Sequence, residues 1–220
     1  MPPVPFQGLP GWPRWERRHS LGASRAEDPL SPEPTLPIAP IITRWIAVAT
    51  GRRALIGVPA ALAGSALAFR LGPYETVRAA AGLLGLPEEA DTSPAAVSTF
   101  LTQIGEAGRA QYATFQYWDF LNPVLITIAG TLLLGWLLGR TGLGQTRWAL
   151  LLLLPVLGGV ADVAENLLLL QAVGHFPAPA PLGGALPIVT MIKFGGIVAV
   201  VPVALVLGVI AAARGRPAAR

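Results

Sequence analysis

Residues 148–173 form a nearly unbroken apolar run, long enough to cross a bilayer at ~20 residues per span. Asp162, Glu165 and Asn166 interrupt it. Their i, i+3, i+4 spacing sets all three on one face of a helix. Carboxylates at that depth are costly unless they are paired, protonated or wetted. The rest of the chain, or a partner, therefore has to meet this face.

Three more apolar runs share this character, at residues 54–70, 118–138 and 186–213. The 220-residue chain is 53% hydrophobic and 13% charged, against ~25% charged in soluble domains. That deficit places it in the membrane class. The expected fold is all-α: a four-helix transmembrane bundle over residues 41–213, with a short interfacial helix before span one. A small helical outer segment, residues 72–116, separates spans one and two.

Charge is distributed unevenly along the chain. Arg44, Arg52 and Arg53 precede span one, Arg140 and Arg147 lie between spans two and three, and Arg214, Arg216 and Arg220 follow span four. The outer segment instead carries Glu75, Glu88, Glu89, Asp91 and Glu106. The positive-inside rule then puts both termini, including the basic tail at 214–220, in the cytoplasm. The arginines read as topology signals, so no nucleic-acid partner is expected.

The chain has no cysteine, which excludes zinc-ribbon, iron–sulfur, c-haem and thiol-nucleophile chemistry. His19 and His175 cannot build a histidine cage alone, and neither a metal nor a cofactor is expected. No GxSxG elbow, Walker A loop, dinucleotide fingerprint or HExxH occurs. These absences weigh against an enzyme without deciding the matter.

Residues 1–40 are rich in proline and arginine, with Phe6, Trp12 and Trp15 among them. No helical period survives the prolines, so the tail reads as disordered or polyproline II. It is the candidate docking segment for protein partners. Residues 41–50 (IITRWIAVAT) are too short to span and read as the interfacial helix. Span one carries a small-xxx-small row at Ala60, Gly64 and Ala68. In the outer segment Pro73 opens a helix through Leu84, and Ser93-Pro94 starts a second, with Val97, Phe100, Leu101 and Ile104 at helical spacing. Tyr112, Phe115, Tyr117, Trp118 and Phe120 form an aromatic cluster where the chain re-enters the membrane. Asn122-Pro123 caps span two, or the helix begins near Gly108 and kinks at Pro123. Gly135 and Gly139 make a GxxxG match, a short motif of little weight alone. Pro155, Gly158 and Gly159 are expected to bend span three.

Depth pairs the intramembrane charges. At ~1.5 Å per residue, Glu165 and Lys193 both lie ~10–12 Å from the outer surface, which predicts an ion pair between spans three and four. Asp162 sits one turn deeper with no evident partner. Asp119 lies near the outer surface, where Arg109 or an N-cap role satisfies it. Asn122 completes this outer polar group. Two readings follow for Asp162, Glu165, Asn166 and Lys193: a polar cluster that fixes helix register, or a proton-titrating or ligand-binding site.

Four short stretches carry a family likeness: residues 50–55 (TGRRAL), 108–112 (GRAQY), 118–123 (WDFLNP) and 162–166 (DVAEN). With these, residues 41–213 resemble a group of bacterial four-span membrane proteins that has no established activity. The resemblance implies fold and topology only; the expected location is a bacterial inner membrane. The layout is also similar to claudins and tetraspanins, without their outer-loop cysteines. Sterol isomerases of the emopamil-binding type likewise place carboxylates inside a bundle, but their histidine-containing pattern is missing here. The expected function is an accessory or structural subunit of a larger membrane complex, such as an energy-converting assembly. The alternative is a small membrane enzyme or transporter acting on a lipid or apolar molecule, with Asp162, Glu165 and Asn166 lining the site, Lys193 as counter-charge and Asp119 at the entrance.

Overall fold

The computed structural model describes residues 39–181 and 183–215. The expectations for the Pro-rich tail over residues 1–38, and for residues 216–220 of the basic tail, lie outside the described residues.

Among the described residues eight α-helices follow in order: α1 (Ala39–Val48), α2 (Gly51–Leu71), α3 (Tyr74–Ala81), α4 (Pro94–Gln103), α5 (Gly105–Asp119), α6 (Leu121–Thr141), α7 (Leu153–His175) and α8 (Leu186–Arg214). The described residues include no strand. Four helical segments are long and apolar enough to cross a membrane: Gly51–Leu71, Gly105–Thr141, Arg147–His175 and Gly183–Arg214. This is an all-α, multi-pass membrane bundle. α7 packs along α8 and α6, and α2 packs along α6.

Local chemistry sets the corners. Thr50 accepts from Arg53 N at 3.4 Å, and the Arg53 guanidinium donates to Val48 O at 2.9 Å, which ties α1 to α2. Ser93 Oγ accepts from Ala96 N at 3.3 Å, with Pro94 in the first turn of α4. Gly142, at φ 70°, closes α6 in the left-handed conformation that glycine adopts at no steric cost.

Two apolar layers bracket the bundle. At the end that carries α3 and α4, the cap end, Val77, Leu86, Phe100, Leu101, Tyr112, Leu169 and Leu186 pack together. At the opposite end Ile42, Leu134, Leu137, Leu138, Leu152 and Leu207 do so. The acidic face of α7 lies between Leu152, just before the helix, of one layer and Leu169 of the other.

Several expectations need correction. The aromatic residues form no single belt: Tyr112 is buried edge-on to Phe100 at 4.8 Å, whereas Tyr117 and Trp118 are exposed. The small-residue row of α2 is shifted, because Ala60 is exposed while Ala61, Ser65 and Ala68 are buried. Four-residue steps drift off the 3.6-residue period, so Ala60 and Ala68 do not share one contact face. α1 does more than lie at an interface. A Cβ on Gly135 would stand 2.8 Å from Ala49 Cβ, just past α1, and one on Gly139 3.6 Å from Ile46 Cγ2, so the GxxxG pair of α6 seats the end of α1. Pro155 falls in the first turn of α7, where its missing N–H costs no hydrogen bond. Gly158 and Gly159 serve close packing: a Cβ on Gly158 would be 3.0 Å from Ile197 N, and one on Gly159 would collide with Thr127. Only Phe120 separates α5 from α6, and it has helical φ/ψ of −58° and −23°, so Asn122 does not cap a new helix start.

Candidate functional site

Between the two apolar layers α5, α7 and α8 enclose a polar layer. On α7 the predicted face turns fully inward: Asp162 and Glu165 are 0% exposed and Asn166 is 1% exposed. Lys193 of α8 reaches across to both carboxylates. Its Nζ donates to Glu165 Oε2 at 2.5 Å and lies 2.8 Å from Asp162 Oδ1. The Glu165–Lys193 pair is thus present. Asp162, expected to lack a partner, shares the same ammonium, because i and i+3 carboxylates on one helix face converge on a single neighbour. Thr190, one turn from Lys193, donates to Glu165 Oε1 and to Leu186 O.

Asp119 departs further from expectation. Its partner is Asn166, whose Nδ2 donates to Asp119 Oδ2 at 3.0 Å. Arg109 lies ten residues earlier on α5, ~15 Å along the axis. It instead donates to Leu101 O at 3.0 Å and stacks over the Phe176 ring at 4.4 Å. Asn122 faces α2, where it accepts from Ser65 Oγ at 2.5 Å. Asp119 and Asn122 do share the wall of a cavity of about 10 Å³, room for one water at most.

The main residue that sequence reasoning missed is Glu88, in the single helical turn Pro87–Glu89 of the cap. Its Oε2 accepts from Tyr112 OH at 2.7 Å and its Oε1 from Gln116 Nε2 at 3.0 Å, both donors being wholly buried. Tyr112, Gln116 and Asp119 stand at i, i+4 and i+7, one face of α5. That period is a signal the sequence does carry. Glu88 also lies within the electrostatic reach of Glu165 and Lys193.

Burial raises the Glu88 carboxyl from its ordinary 4.5 to about 7, and the negative charge of Glu165 adds to the shift. A carboxyl raised in the folded state stabilises the fold fully below pH 4.5, and that contribution disappears as pH climbs to about 7. The change is on the order of 2 kcal/mol after allowance for partial exposure. The thermal midpoint in detergent is expected to fall by about 4–8 °C across this window. Glu88→Gln retains an acceptor for Tyr112 and should flatten the curve; an unchanged slope in the variant would assign the pH response elsewhere.

Three buried oxygens have neither a hydrogen bond nor an ion pair among the described residues: Gln116 Oε1, Asp119 Oδ1 and Asp162 Oδ2. The described residues contain no group of three or more His, Cys, Asp or Glu arranged to hold a metal ion. No protein-family model matches this chain, and no curated protein or solved structure matches it significantly.

Proposed function

We propose that this protein is an accessory or structural subunit of a larger membrane complex, seated in a bacterial inner membrane with both ends in the cytoplasm. The observation that carries the reading is the second face of α2. One face packs against α6, with Gly57 against Leu132 and Gly64 against Leu125. On the other, Pro59, Ala63 and Ala66 recur at i, i+4, i+7 beside Ala60, and all four are exposed. Leu55, Ile56, Leu62 and Leu67 are exposed around this row, so small side chains alternate with larger apolar ones, a pattern that another helix can approach closely. The burial of Asp162 and Glu165 agrees, since a catalyst needs a route for its substrate. The orientation rests on charge: Arg52, Arg53, Arg140, Arg147 and Arg214 flank the spans away from the acidic cap.

The test is extraction from native membranes in mild detergent, followed by native mass spectrometry. Stoichiometric partner proteins are expected. Ala63→Leu should reduce their recovery several-fold, while Val198→Leu on the exposed face of α8 leaves it intact. A chain that migrates alone, or with copies of itself only, would refute the reading.

A second reading, a small membrane enzyme or transporter for a lipid or apolar molecule, draws on a cavity of about 320 Å³ at the cap end. Val97, Leu101, Leu168, Ala172, Phe176 and Leu186 are among its walls. The volume suits a small apolar ligand. None of the carboxylates of the polar layer lines it, so chemistry at Asp162 or Glu165 would require α7 and α8 to part.

A further inference from the structure

We propose that Asp119, Asp162, Glu165 and Lys193 form a proton-binding site that is loaded from the cap side through Glu88, Gln116 and Tyr112 and is closed toward the opposite end. The inference stands independently of any partner complex.

Charge balance is the first argument. The polar layer sets three carboxylates, Asp119, Asp162 and Glu165, against one ammonium, Lys193. The electrostatic partners of Asp119 are Asp162, Glu165 and Lys193, and those of Asp162 are Lys193 and Glu165. Arg109, the nearest cation on α5, is engaged at Leu101 and Phe176 instead. Two uncompensated negative charges in a low-dielectric layer cost far more than a bound proton.

The orphaned oxygens are the second argument. Asp162 is 0% exposed, yet its Oδ2 has no donor among the described residues, and Asp119 Oδ1 is in the same position. A water in the small cavity beside Asp119 would serve Oδ1 but would bring no charge. A hydrogen on a carboxyl oxygen removes the charge, and with it most of the cost of leaving that group unpaired. A metal ion would need a convergent donor set, which the described residues do not form.

Access to the layer is one-sided. Glu88 is partly exposed on the cap, and its carboxylate holds Tyr112 and Gln116. Gln116 presents its unpartnered Oε1 one turn before Asp119 on the same face of α5. Polar side chains thus follow one another inward along α5, from the Glu88–Gln116 hydrogen bond to Asp119 one turn on, whose Oδ2 accepts from Asn166 of α7. On the other side of Asp162 the helices close. A Cβ on Gly196 would lie 2.7 Å from Gly158 N, and beyond this contact Leu152, Leu134, Leu138 and Leu207 fill the interior.

The experiment is infrared spectroscopy of the full chain in lipid nanodiscs, reading the carbonyl stretch of protonated carboxyl groups at about neutral pH. The wild type is expected to show this band, and Asp119→Asn or Asp162→Asn should remove it or cut it by about half. Glu88→Gln removes that carboxyl's own share of the band; the remainder should persist, with its deuterium exchange slowed about tenfold or more. Absence of the band in the wild type would overturn the proposal, as would a band indifferent to both Asn variants or an exchange rate unchanged in Glu88→Gln. Stabilisation by sodium ions without any such band would point to a metal cation and equally overturn it. If the Asn variants fail to fold, the wild-type band and the Glu88→Gln exchange rate still decide.

Discussion

Lys193→Met is expected to lower the thermal midpoint of the purified protein by about 10 °C, the largest effect of any single charge change in the bundle. Methionine matches the length and apolar stem of lysine, so packing against α7 survives. What disappears is the ammonium that lies 2.5 Å from Glu165 and 2.8 Å from Asp162. Breaking a buried pair from one side leaves the other charge uncompensated, which costs ~3–5 kcal/mol. Here two carboxylates lose the same partner. The loss should be rescued by neutralising them, and the triple variant Lys193→Met, Asp162→Asn, Glu165→Gln is expected to regain most of the wild-type midpoint. A Lys193→Met protein that melts with the wild type would show that the ammonium does not hold α8 to α7.

The same cluster shows what sequence could reach. Helical period and depth were enough to bring Glu165 to Lys193, since both are fixed by residue counts along straight, antiparallel spans. Asp162 was harder, because one ammonium serving two carboxylates depends on the rotation of α8 about its axis, which side-chain spacing on α7 does not set. Asp119 went to Asn166 for the same reason. Its partner lies on a helix whose azimuth is decided by glycine contacts, Gly159 on Thr127 and Gly158 on Gly196. Glu88 was hidden differently. It sits in a turn with no period of its own, and only the i, i+4, i+7 series of Tyr112, Gln116 and Asp119 hinted that α5 needed a polar partner. The bundle itself was readable because lipid demands long apolar helices whatever the tertiary detail.

Those glycine contacts set the second large effect. Gly196→Ala is expected to lower the thermal midpoint by about 5 °C or more, whereas Gly195→Ala, one residue away, should leave it unchanged or slightly raised. A Cβ on Gly196 would stand 2.7 Å from Gly158 N, 2.8 Å from Gly158 Cα and 2.8 Å from Leu154 O, all backbone atoms that no rotamer change can move. Relief requires α8 to back away from α7. A Cβ on Gly195 meets nothing within 4 Å, and there the usual ~1 kcal/mol helix preference for alanine is the only term. The consequence reaches the polar layer, because Lys193 lies one turn from Gly196 and bridges Asp162 and Glu165 only at the present helix separation. The penalties of Gly196→Ala and Lys193→Met should therefore be less than additive, since each removes part of what the other needs. Fully additive midpoints would separate the glycine contact from the charge cluster, and equal midpoints for Gly195→Ala and Gly196→Ala would place the α7–α8 approach elsewhere.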